Sequence, residues 1–258
     1  MPAAEFRNEG NAMNTTEELP YVLLIPGAWM ASWIWEPTAE SLRRRGIDAE
    51  AITLAGLEPG TPEERVGQVR LEDHVIQVLD HLARRGSRRV VLVGHSYSGM
   101  VVGQVADRLG QSVASVHFAS FLPRDGRSLL DDWGPDDAAR AQERAEIVAA
   151  AHLWAPPPRA ALDLEKGLSP DDRGLLAARF TPHPGRTVLD PAKMRKPVTS
   201  QEATFVATSE ADVPAILHSA AADDWDIQIL DGGHWAMLEQ PEAVAALVAD
   251  RATRHRGN

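Results

Sequence analysis

The chain is expected to fold as an α/β protein: a mostly parallel sheet of about six strands, flanked by helices, with a helical cap inserted late in the chain. Two observations predict this. Apolar runs of strand length alternate with helix-period segments through residue 120, and the alternation breaks from about 123 to 199 before resuming. A third is length. At 258 residues the chain suits one domain with an insertion better than two independent domains.

The elements follow in order. Residues 1–19 are polar and contain no apolar core of a secretory signal, so they read as a disordered tail. Tyr21 to Ile25 is continuously apolar, as in a strand buried on both faces. Ser32 to Arg45 reads as a helix with Ser32 as N-cap and Gly46 as its stop. Ile47 to Leu54 alternates like a strand. Leu71, Val75, Val78, Leu79 and Leu82 recur at helical spacing. Val90 to Val93 is a strand, followed by a helix to about Leu109, and Val113 to Ala119 is the next strand.

The segment 123–199 carries Asp131, Asp132, Asp136 and Asp137, three prolines at 156–158, and Thr181-Pro182-His183-Pro184-Gly185. Helices are expected over Ala138–Trp154 and Leu175–Phe180, with no strand of sheet type. The core is thus residues 20–122 and 200–252, and the cap 123–199. Ala203 to Thr208 restarts the sheet, a helix runs from Pro214 to about Ala222, and Asp226 to Leu230 is the last strand. A helix from about Gln240 to Ala249 closes the fold.

Composition excludes several functions. The chain has no cysteine, which removes disulfides and thiolate chemistry and fits a reducing, cytoplasmic setting. A net charge of −11 argues against a nucleic-acid binder. No apolar run approaches the roughly 20 residues that span a bilayer. No metal or cofactor motif is present. The partner expected is a small-molecule substrate, with self-association into a homodimer left open.

The chemistry concentrates at Gly94-His95-Ser96-Tyr97-Ser98-Gly99, where a β-branched apolar run meets a new helix with almost no loop. Such a turn strains the central residue and pushes its side chain out above the sheet, the arrangement of a nucleophile elbow. Serine catalysis then needs a base and an acid that orients it, in the order Ser, acid, His in this fold type. Ser96 is followed by the acidic loop 209–212 and by His234 in Gly232-Gly233-His234-Trp235, each just past a predicted strand. Three carboxylates could serve as the acid. Glu210, directly after the strand, is favoured; Asp212, which could instead cap a helix, and Asp125 are the alternatives. The oxyanion hole needs two backbone N–H groups, expected from Tyr97 and from Ala28 in the loop Pro26-Gly27-Ala28. Trp29, Trp133, Trp154, His183 and Trp235 are candidates to line the pocket.

These motifs carry a resemblance. The chain is similar to the α/β-hydrolase superfamily and, within it, to plant methylesterases, hydroxynitrile lyases and their bacterial esterase relatives. The residues that carry it are Val22 to Trp29, Trp33, Trp35, Gly94 to Tyr97, Phe121-Leu122-Pro123, Phe180 to Pro184, Pro214 and Gly233 to Leu238. Counting back from Pro214 in the acid loop of that family also lands on Glu210. The chain departs from the branch at Pro26, where histidine is usual, at Ser98, where glycine is usual, and at Glu210, where aspartate is usual. The nitrile lyases have threonine at the position of Gly27 and lysine at that of Trp235. The resemblance therefore implies a cofactor-free hydrolase of small carboxylic esters, methyl or aryl. The alternatives are a non-hydrolytic lyase or cyclase in the same pocket, or a small-molecule-binding member of the fold.

Overall fold

A computed structural model describes residues 20–86, 89–219, 222 and 224–254. The expected tail, 1–19, lies outside them. Six strands form one sheet in the order β2-β1-β3-β4-β7-β8, with every neighbouring pair parallel. They are β1 (Tyr21–Ile25), β2 (Ala49–Ala51), β3 (Val90–His95), β4 (Val113–Phe118), β7 (Ala203–Ala207) and β8 (Trp225–Ile229). The two remaining strands, β5 (Leu153–Trp154) and β6 (His183–Pro184), pair antiparallel outside the main sheet.

The continuous apolar runs of the inner strands are explained by burial on both faces. Tyr21, Leu23 and Ile25 pack with helices Leu71–Arg85 and Gly99–Leu109 on one side. Val22 and Leu24 pack with helices Glu36–Arg44 and Pro241–Arg254 on the other. β8, at the sheet edge, instead leaves Ile227 and Ile229 more than a third exposed.

Several expected elements are shorter or different. The helix read from Ser32 begins as a 3-10 turn, Ser32–Trp35, and becomes α-helical only at Glu36, where Pro37 suits the first turn. Ser32 is not its cap; its N–H and hydroxyl engage Thr53 Oγ1 at 3.0 and 3.2 Å. The strand read over 47–54 pairs only at Ala49–Ala51, on the opposite edge. After Pro214 the chain makes a short 3-10 turn, Ala215–His218, that ends at an extended Ser219 where an α-helix was expected to continue.

The segment 123–199, expected as a helical cap, also differs. Its first helix, Asp137–Ala149, stops where Ala151 and His152 take positive φ. That reversal sends Leu153–Trp154 into β5, so a strand pair exists where none was expected. The consequence is functional placement: Trp154 and His183 sit opposite each other in the ribbon, over the carboxyl end of the sheet.

Candidate active site

Three strands end in strain. Among the described residues five non-glycine residues have positive φ, and three of them directly follow or nearly follow parallel strands: Trp29 (65°) after β1, Ser96 (51°) after β3 and Ala119 (41°) after β4. Side chains rarely adopt this conformation, and it persists only where the surroundings enforce it. The carboxyl ends of parallel strands are where ligands bind in this architecture.

At the elbow the enforcement is steric and polar. A Cβ on Gly94 would come within 2.9 Å of Val102 and 3.2 Å of the Ser98 backbone, so strand and helix can meet only at glycine. Ser98 Oγ accepts the His95 N–H at 2.8 Å. The carbonyl oxygens of Ile25 and His95 lie 2.8 and 3.0 Å from the same hydroxyl. Ser96 itself is largely buried, and its carbonyl accepts the Phe121 N–H.

His95 joins the elbow to the loop after β8. Its Nε2 donates to the His234 carbonyl at 2.8 Å, and the two rings lie 4.5 Å apart. A carbonyl has no proton to give, so Nε2 carries the hydrogen. Nδ1 is then bare and buried without a partner among the described residues, facing Gly27, where a Cβ would sit 2.7 Å away. Burial, and then the neighbouring His234, hold the His95 pKa well below the usual range.

His234 borders a cavity of about 550 Å³ with Ala119, Ser120, Phe121, Phe205, Thr208, Asp212, Gly232 and Gly233. Leu164, Glu165 and Lys166 of the cap complete its wall. Desolvation draws the His234 pKa down to about 4, while the negative charge of Asp212 acts in the opposite direction. The ring is therefore neutral at pH 7, with a nitrogen free to accept a proton. Asp212 Oδ2 accepts from Thr208 Oγ1 at 2.6 Å and Ser209 Oγ at 2.7 Å; these bonds hold the carboxyl below the usual range.

Of the three candidate acids, only Asp212 comes to the His234 cavity. Glu210 opens the 3-10 turn Glu210–Asp212 and is exposed. Asp125 accepts the Met194 N–H at 3.1 Å, fastening the chain's return from the cap. The competing role of Asp212 as a helix cap is vacant, since Pro214 precedes the next turn and no side chain caps it. Ala28 is buried at the turn after Gly27, and Tyr97 lies within the turn Ser96–Ser98.

The aromatic candidates divide. Trp29, Trp133, Trp154 and His183 cluster on the cap side of the elbow: Trp29–Trp154 rings are 4.3 Å apart, Trp133–Trp154 5.0 Å and Tyr97–His183 4.5 Å. Phe121 links them to the cavity, 6.0 Å from Trp133. A buried relay underlies them. His74 donates from Nε2 to the Ala55 carbonyl and accepts the Tyr97 hydroxyl at Nδ1, 2.7 Å away. Trp235 points elsewhere, packing in the opposite core layer near Phe180.

Sequence reasoning passed over Lys166, Glu165 and Glu239. Glu239 Oε2 accepts the Gly233 N–H at 2.8 Å and so holds the loop before His234. Nothing in the local sequence marks these residues: an irregular segment carries Glu165 and Lys166 to the site, and Glu239 ends the short helix Ala236–Glu239 that follows His234. Among the described residues no group of three His, Cys, Asp or Glu side chains could hold a metal ion. No described helix is long and apolar enough to cross a membrane.

Residues 22–247 match the model of the alpha/beta hydrolase family. The chain belongs to that family. It is 37% identical over 110 residues to the carbendazim hydrolyzing esterase of Nocardioides sp. (strain SG-4G), a match covering 42% of this chain and 45% of that protein. It is 24% identical over 244 residues to the probable hydrolase R7 of Phoma sp., covering 90% and 98% of the two chains. Salicylic acid-binding protein 2 of Nicotiana tabacum is 28% identical over 110 residues, 42% of each. The first of these matches thus spans less than half of its relative. Among solved structures, an extracellular α/β-hydrolase from a Paenibacillus species superposes with a TM-score of 0.75 at 20% identity, over 90% of this chain and 98% of that one.

Proposed function

We propose that this chain is a serine-dependent hydrolase of small carboxylic esters. The observation that carries the reading is the strained Ser96, at φ 51° past the carboxyl end of β3, beside a histidine bonded to the backbone of a neutral His234. Strain at the end of a buried strand is retained where it serves chemistry.

In this reading Ser96 Oγ attacks the ester carbonyl while His234 takes its proton. The Ala28 and Tyr97 N–H groups stabilise the oxyanion, each contributing about 3 kcal/mol to barrier reduction. The tetrahedral intermediate collapses, the C–O bond breaks, and His234 returns the proton to the leaving alcohol. Water, activated by His234, then releases the acid and restores Ser96. Asp212 stabilises the imidazolium; it is favoured over Glu210 because it shares the cavity and raises the His234 pKa. Phe121 and the tryptophans behind it suit an aryl or flat apolar substrate portion. The names of the relatives, an esterase and a probable hydrolase among them, support the same reaction class.

A fluorophosphonate probe with mass readout tests the nucleophile. Labelling at Ser96 is expected, together with turnover of p-nitrophenyl or methyl esters that drops by about four to six orders of magnitude in Ser96→Ala. No label, with wild type as inert as the variant, would sink the reading.

A further inference from the structure

Ser98 has no place in the reaction above, yet its hydroxyl is the most heavily used side chain at the elbow. It is fully buried. It accepts the His95 N–H at 2.8 Å, and its own proton lies between the carbonyls of Ile25 (2.8 Å) and His95 (3.0 Å). These contacts are not equivalent. The two to His95 are internal to the elbow. The one to Ile25 crosses from the elbow to the last residue of β1, where the main-chain ladder ends with Ile25 opposite Gly94. Next come Pro26, which has no N–H to donate, and Gly27, pressed against the His95 ring. The Ser98 hydroxyl thus fastens the root of the Pro26–Ala28 loop to the turn carrying Ser96.

We infer that Ser98 is a positioning residue: its hydroxyl sets the distance between the Ala28 N–H on one loop and the Tyr97 N–H on the other, and so the width of the oxyanion hole. The inference rests on the ester-hydrolase reading and specifies which group tunes it. A hole built from two loops works only if both donors reach the same oxygen, and the developing charge is more demanding of that geometry than the ground-state carbonyl. Loss of the hydroxyl therefore acts on the transition state and spares substrate binding.

The test uses Ser98→Ala and Ser98→Gly in the full chain. Both remove the hydroxyl, and the glycine variant also removes the Cβ, so a shared effect is traced to the hydroxyl. On p-nitrophenyl acetate, kcat is expected to fall by about ten- to a hundred-fold with KM within about two-fold. An aryl trifluoromethyl ketone, whose adduct with Ser96 bears an oxyanion, should lose affinity by the same factor. The corresponding amide, bound without an oxyanion, should not. Unchanged kcat in the variants, parallel weakening of ketone and amide, or failure of both variants to fold would overturn the role of Ser98. Wild type that resists phosphonate labelling would overturn the hydrolase reading beneath it, so the two failures are separable.

Discussion

The elbow and the His234 loop lie at the same, carboxyl end of the sheet, but they are held by different kinds of constraint. The elbow is fixed by its own neighbours. Gly94 meets Ser98 and Val102 and His95 bonds Ser98, so the turn takes its shape from its own residues before it reaches outward to Ile25 of β1, to the Phe121 N–H, to His74 and to the His234 carbonyl. The His234 loop is fixed from far away. Gly233 is pressed against the Lys166 carbonyl, His234 is tied to His95, and Asp212, which lines the same cavity, sits on an exposed turn held by Thr208 and Ser209. Local constraint makes the strained Ser96 turn a property of the fold. Long-range constraint makes the placement of His234 and Asp212 a property of how the outer segments and loops are fitted to it, and leaves them freer to vary.

The largest effect that bears on this contrast concerns the acid. Asp212→Asn keeps the shape and one acceptor oxygen for Thr208 and Ser209 but removes the charge that would support protonated His234. A loss in kcat of about a thousand-fold or more is expected, while Glu210→Gln stays within about three-fold. Removing the negative charge also lowers the His234 pKa, so the acid limb of kcat/KM should move to lower pH in Asp212→Asn. Steady-state kinetics across pH 4–8 checks both. A collapse in Glu210→Gln with Asp212→Asn intact would mean that the acid loop adopts a different pitch in catalysis.

That same loop marks the boundary of what the sequence makes legible. The elbow can be read because its demands are sequential: a β-branched run, small residues at fixed offsets, then a helix. That Ser96, the acidic loop 209–212 and His234 each follow a parallel strand is legible for the same reason. The placement of Glu210 and Asp212 is not, since two residues on a tight 3-10 turn face different ways and only the turn's pitch decides which one lines the cavity that His234 borders. Nor is the cavity wall at Leu164–Lys166, which has no periodicity of its own. The ribbon Leu153–Trp154 with His183–Pro184 is hidden inside a helical pattern, and only the positive φ at Ala151 and His152 breaks it.

A smaller effect separates local from long-range constraint by sterics. Gly233→Ala places a Cβ 2.0 Å from the Lys166 carbonyl and 2.5 Å from Glu239 Oε1. Either the cap segment or the His234 loop must shift. The expected outcome is a fall in kcat/KM of about ten- to a hundred-fold with a cost of about 1–3 kcal/mol in stability, because the loop rather than the sheet absorbs the clash. Gly94→Ala, where the clash is between strand and helix of the elbow itself, should instead lower the unfolding temperature more than it alters KM. Thermal melts and kinetics of the two variants check the distinction; equal melting losses would erase it.

The smallest effect is on stability alone, and it comes from beneath the site. His117 is fully buried in β4, between Ser115 Oγ at 3.1 Å and Ser120 Oγ at 3.3 Å, and burial pulls its pKa down to about 3. Unfolded, it would titrate near 6.5. Its folded pKa is thus below its unfolded one, so the unfolded chain takes up the proton first as pH falls. The contribution to stability is complete above about pH 6.5 and is lost progressively down to about pH 3. At pH 5 that loss is about 2 kcal/mol. His117→Asn, which does not titrate, should therefore lose about 2 kcal/mol less than wild type in urea unfolding between pH 7 and pH 5. His234 behaves differently: it titrates from the cavity, with Asp212 opposing the shift, and its protonation should appear in kcat/KM. If His117→Asn alters the acid limb of kcat/KM rather than the unfolding midpoint, the scaffold and the loop are coupled through β4 and are not separately held.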